Sequence, residues 1–182
     1  MSGIKYSLRQ ESTSFSIGTT NLRSSNGSLI DTNGCVALLV LSGFAVATIN
    51  FEKRILRKGD FVLLFYDSTF SMLSISAAFS VRYVSFAYHL IEEAIYKPLS
   101  INFWNTINSN PVFRPNERDF KLLVEWWYQM EWVNNIKDYD YQEEILKNNI
   151  RNLLVATDIE IMDHAGDSLR NSRGHAWMLV NR

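Results

Sequence analysis

Between residues 35 and 88 the apolar positions fall into short runs of β-branched and aromatic residues, each broken by turn-forming ones. That texture predicts strands over 35–41, 45–50, 53–56, 61–66, 71–76 and 80–88. Ser42-Gly43, Asn50, Lys58-Gly59-Asp60 and Asp67-Ser68 punctuate them. Links this short join antiparallel neighbours and leave no room for crossover helices, so an antiparallel barrel or sandwich is expected.

After residue 88 the period becomes helical. Pro98 stops a short segment over 89–96, and 100–109 offers a further helical turn. Arg114-Pro115-Asn116 then opens a long helix, with Asn116 as its cap and Glu117 and Asp119 where the helix dipole favours acids. Phe120, Leu123, Val124, Trp127 and Met130 recur at intervals of three and four, which makes one apolar stripe and carries the helix to about residue 136. Residues 138–141 read as a connector. The next helix places Leu146, Ile150, Leu153 or Leu154, and Ile161 along one face. Two long helices on a short link should lie antiparallel.

The flanks differ in composition. Residues 1–33 are rich in Ser, Thr, Asn and Gly with scattered Ile4, Tyr6, Leu8, Phe15, Ile17 and Leu22, and are expected to form a loosely held arm. Beyond Ala165-Gly166 the chain turns basic and polar around 176–180, as at the entry to another helical segment. The expected organisation is an arm over 1–33, a barrel over 34–98, a helical hairpin over 99–165 and the start of a linker over 166–182. The fold class is α+β, mainly an antiparallel β-barrel with a helical appendage.

Composition narrows the function classes. The chain of 182 residues is 47% hydrophobic with 3 prolines, enough apolar material for a real core. Its 18 basic and 19 acidic residues leave no overall attraction to phosphate backbones or anionic lipid, so neither DNA nor a membrane is an expected partner of this segment itself. Cys35 is the only cysteine, which excludes an intrachain disulfide and favours a reducing compartment. The first 25 residues hold no continuous apolar stretch, and the longest apolar run, 35–41, falls well short of the roughly 20 residues a spanning helix needs. The cytoplasm is the expected location.

Catalytic signatures are missing from the pattern. A metal site on a small barrel needs histidines and carboxylates converging from adjacent strands, whereas His89, His164 and His175 share no strand or helix spacing. No metal or other cofactor is expected. Cys35 is followed by Val36, Ala37, Leu38 and Leu39, surroundings that suit a core thiol rather than a nucleophile. No phosphate-binding glycine loop is present.

Two other features carry functional expectations. Trp126, Trp127 and Tyr128 leave one helix in directions about 100° apart, so at least one of them, or Trp132, must face outward or meet a second surface. The stripe Leu146, Ile150, Leu153 and Leu154, bordered by Asn148, Asn149 and Asn152, is a candidate homodimer seam. On the barrel, Phe44, Tyr66, Arg82 and Tyr83 are candidate ligand-binding residues, since small-molecule sites combine apolar walls with a few polar handles. Each of them also suits simple filling of a barrel interior.

The order of these features resembles the N-terminal half of AraC-type transcription regulators. The run Ile55-Leu56-Arg57-Lys58-Gly59-Asp60-Phe61-Val62-Leu63-Leu64 holds a Lys-Gly-Asp turn between two strands, as that family does. A closing strand over 81–88, two helices and a basic tail over 175–182 follow in the same order. The resemblance covers about residues 34–182 and rests on order, because each motif is short. It implies a cupin-like barrel that takes a small effector, a helical pair that forms a homodimer, and DNA binding by C-terminal helix-turn-helix units that this chain does not contain. The rival from another class is a small metal-free cupin enzyme such as an isomerase. Its only acids among the strands would be Glu52, Asp60 and Asp67, all at turns.

Overall fold

The computed structural model describes residues 5–170, with side chains over 6–162. Ten strands form two five-stranded sheets. Sheet A has the order β1 (Lys5–Tyr6), β3 (Leu29–Ile30), β8 (Phe70–Ile75), β5 (Phe44–Ile49), β6 (Glu52–Arg57). Sheet B has the order β10 (Val112–Phe113), β7 (Phe61–Phe65), β4 (Cys35–Ser42), β9 (Ser80–Phe86), β2 (Phe15–Thr20). The ladders are antiparallel as the short links require, except that β1 runs parallel to β3, to which a long connection joins it. Four helices follow the last long strand: α1 (Tyr88–Ala94), α2 (Ile101–Ser109), α3 (Glu117–Asn134) and α4 (Tyr139–Arg170).

Alternation along sheet B explains how one sheet serves two cores. Val36, Leu38, Val40, Val62, Leu64 and Val81 face sheet A and bury against Ala45, Ala47, Ile49, Leu56, Phe70 and Met72. The intervening Cys35, Ala37, Leu39, Phe61, Leu63, Phe65, Val84 and Phe86 point the other way, into a second core made with the helices. β4 and β7 are apolar at nearly every position because both of their faces are covered.

Two expectations about organisation change. The expected loose arm is built into both sheets over its described part. β2 pairs with β9 along all six residues, and Leu8, Phe15, Leu22 and Ile30 are buried. Nor does packing break between barrel and hairpin, since Leu146, Ile150, Leu153, Leu154 and Ile161 share one core with Cys35, Phe61 and Phe86. α3 and α4 are antiparallel: Trp126 Nε1 donates to the Asn149 carbonyl at 3.2 Å, and Gln142 Nε2 to that of Val133 at 3.0 Å. The Asn116 side chain caps α3 by accepting from the Asp119 N–H at 2.9 Å. The 138–141 connector is the first turn of α4, because Asp138 Oδ1 accepts from the N–H groups of Asp140 and Tyr141. α4 continues through Ala165-Gly166 to Arg170, so the first residues of the linker expected over 166–182 are helical, and the rest of that stretch, 171–182, lies outside the described residues. No helix among the described residues is long and apolar enough to cross a membrane.

Candidate functional site

Polar groups inside the barrel lie where β2 meets β9. Register pairs Ser16 with Ser85 and Gly18 with Tyr83, so these residues share the inward face of sheet B with Val36 and Leu38. The Tyr83 ring lies over Gly18, where an added Cβ would stand 3.1 Å from ring carbon Cε1. Its hydroxyl is 3.4 Å from Ser16 Oγ. The result is a strip of hydroxyl groups from Ser16, Tyr83 and Ser85 beside the aliphatic side chains of Val36 and Leu38. Such a strip can orient a small molecule by hydrogen bonds while the aliphatic wall covers its apolar part.

Of the four residues expected to line a pocket, only Tyr83 is there. Arg82 follows the opposite parity, so its guanidinium lies on the helix side of the sheet, 4.7 Å from the centre of the Tyr128 ring. Phe44 stands exposed on the outer face of sheet A. Tyr66 lies just past β7, exposed, with its ring edge-on to that of Tyr88 at 5.2 Å. The Tyr88 phenol is held above its ordinary value, first by a hydrogen bond with the Glu92 carboxylate. The four candidates therefore do not converge. Ser16 and Gly18 were missed because β2 reads as a loose arm, and the signal that could have found them is the alternation of Phe15, Ser16, Ile17 and Gly18. Ser85 lies within the strand expected over 80–88 and was missed because its partner strand was.

The helical stripe also lands elsewhere than expected. Leu146, Ile150, Leu153 and Leu154 are all buried against this chain's own sheet B and helices, which leaves them no surface for a two-fold partner. Trp126 and Trp127 point inward as well, Trp127 with its ring edge-on to Phe61 at 6.2 Å. The outward aromatics of α3 are Tyr128 and Trp132, the latter 61% exposed.

Cys35 and Asp60, the thiol and the carboxylate of the strand region that are buried, are engaged in structure. Burial pushes the Cys35 thiol far up, away from the thiolate. Asp60 is buried at the β6–β7 turn, where its carboxylate accepts the Arg57 N–H at 2.8 Å and Arg114 Nε at 3.0 Å. Desolvation raises its pKa, against the lowering effect of those two partners. This pair fastens the segment ahead of α3 to the Lys58-Gly59-Asp60 turn. Among the described residues no group of three His, Cys, Asp or Glu side chains is placed to hold a metal ion.

No protein-family model matches the chain, and no curated protein does. Solved structures do. The chain is similar to apo ToxT K231A from Vibrio cholerae strain SCE256, with 15% identity and a TM-score of 0.53 over 93% of this chain and 69% of that one. Wild-type ToxT of the same strain with an unsaturated fatty acid bound aligns at 15% identity and a TM-score of 0.49, covering 93% and 67% of the two chains. The AraC-like transcriptional activator CuxR aligns at 12% identity and a TM-score of 0.35, covering 88% and 59%. Over 93% of its length the chain shares the α+β fold seen in apo ToxT.

Proposed function

We propose that this chain is the regulatory portion of an AraC-type transcription regulator, which senses a small effector in the barrel, dimerises through its helices and performs no catalysis. DNA contact would then be made by helix-turn-helix units outside these 182 residues. The observation that carries the reading is the agreement of two independent lines. The order of motifs around Lys58-Gly59-Asp60 points to that family, and the fold follows ToxT over 93% of the chain. The strip of Ser16, Tyr83 and Ser85 would give an effector its polar handle. For the enzyme alternative, the engagement of Asp60 with Arg57 and Arg114 is unfavourable, because a carboxylate held this way is not free to move a proton.

Since the Leu146–Leu154 stripe is consumed by the monomer, the dimer surface belongs on the outer side of α3. There Tyr128 and Trp132 offer the amphipathic aromatic surface that interfaces favour. Sedimentation equilibrium at low micromolar concentration should find a dimer, and Trp132→Ser combined with Tyr128→Ser should shift it to monomer in that range with an unchanged circular dichroism spectrum. A wild type that stays monomeric, or a variant that stays dimeric, would remove the dimerisation role from α3.

A further inference from the structure

Among the described residues, three other than glycine have positive φ: Leu22, Asn50 and Phe51. The fold accounts for the first two. Leu22 is fully buried, and the Asn50 side chain accepts from the Thr69 N–H and donates to the Asn108 carbonyl, each at 3.0 Å. Phe51, with φ +66 at the tip of the β5–β6 hairpin, is 87% exposed and fills nothing. A two-residue hairpin turn of this kind prefers glycine at that place. Asn50 and the bond from Arg54 to the Ser109 carbonyl pin the hairpin to the end of α2, so the backbone that carries the exposed ring is held in place.

The same hairpin presents an apolar and cationic face. Its outward positions are Phe44, Val46 and Thr48 opposite Arg57, Ile55 and Lys53, and no carboxylate stands among them. Exposed Leu73 on β8 and Leu29 on β3 extend the apolar part across sheet A. Among the described residues Phe44, Ile55, Leu73 and Leu29 stay exposed on that face. A second copy offers complementary chemistry at the α3–α4 junction, where Tyr139 and Tyr141 are both exposed and alternate with Asp138 and Asp140, with Glu143 and Glu144 next along the chain. Between residues 137 and 144 those four carboxylates face one cation, Lys137. Asp138, though exposed, caps α4, and Glu143 pairs with Lys147, while Asp140 and Glu144 are exposed on the first turns of α4.

We propose that the outer face of sheet A, with Phe51 as its anchor, docks on the tyrosine and carboxylate junction of a second copy of this chain. Lys53 and Arg57 would meet Asp140 and Glu144, while Phe51 and Phe44 pack with Tyr139 and Tyr141. This contact is separate from the α3 surface and stands without the regulator reading. Two identical faces of sheet A could not pair in this way, because each would bring only cations to the other.

Charge-reversal complementation tests it, carried out on Trp132→Ser protein so that the α3 contact is removed and the two interfaces fail independently. That protein should self-associate in sedimentation runs as concentration rises toward the millimolar range. Lys53→Glu with Arg57→Glu should weaken the association about tenfold, and so should Asp140→Lys with Glu144→Lys. An equimolar mixture of the two double variants should recover it, because each reversed face then meets a reversed junction. Phe51→Gly should also weaken association while raising Tm by about 2 °C, since the strained turn is relieved. If a reversal variant fails to melt cooperatively, Lys53→Gln with Arg57→Gln and Asp140→Asn with Glu144→Gln replace it, each expected to weaken association. The proposal is overturned if Trp132→Ser protein stays monomeric, if the mixture of reversed variants does not associate, or if Phe51→Gly leaves association unchanged.

Discussion

Ile150→Glu is expected to unfold this protein, not merely to separate two copies of it. Ile150 is 1% exposed, on the side of α4 that packs with Leu146 and Leu154 against the outer face of sheet B. A carboxylate placed there has no cation within its own core cluster, which consists of apolar side chains. Burying an unpaired polar or charged group costs several kcal/mol. The lost packing of a large aliphatic side chain adds about 2–5 kcal/mol. Together these rival the whole stability of an ordinary domain, about 5–15 kcal/mol. Urea titration followed by circular dichroism should show the cooperative transition displaced to much lower denaturant or abolished. A variant with the wild-type midpoint would place this side of α4 outside the core and reopen it as an interface.

Gly34→Ala is expected to be the most damaging of the glycine replacements at a loop. Gly34 precedes β4 with φ +102, and a Cβ there would stand 2.0 Å from the Phe86 carbonyl oxygen and 2.9 Å from the Tyr88 nitrogen. Those are backbone atoms at the passage from β9 into α1, so relief requires moving a central strand or the helix behind it. The left-handed conformation costs about 1–2 kcal/mol and overpacking about 1–3 kcal/mol more. Thermal melting should show Tm lowered on the order of 10 °C. Gly27→Ala is the control, because Gly27 has φ +77 but nothing within 4 Å of the added carbon, so only the conformational cost applies. Equal losses at the two positions would mean that β4 does not abut the start of α1 as described.

What could be read from the sequence follows from what periodicity measures. The runs at 35–41 and 61–66 betrayed strands covered on both faces, and Asn116 with Asp119 betrayed a helix start, because both signals are local. Periodicity along α4 identified a buried face but not what buries it. The same residues would look alike packed on a partner or on sheet B, and only the tertiary fold decides between them. The strand over 15–20 escaped because its alternation, Phe15 and Ile17 against Ser16 and Gly18, is short and sits in a stretch rich in Ser, Thr, Asn and Gly. Parity alone separates Arg82 from Tyr83, since adjacent residues of a strand point to opposite faces and cannot both line the same interior. The exposure of Phe44 has no counterpart in its neighbourhood, where Ala45 and Val46 give no hint of which face lies open.

The central claim, that this chain brings copies of a DNA-binding regulator together, is tested most directly by fusing it to a DNA-binding domain that is itself monomeric. Binding is then measured to duplexes that carry one half-site or two. A dimerising regulatory portion should bind the paired site about 10²–10⁴-fold more tightly than the single one, through effective concentration, and Trp132→Ser with Tyr128→Ser should abolish that gain. Equal affinity for one half-site and for two would contradict the account.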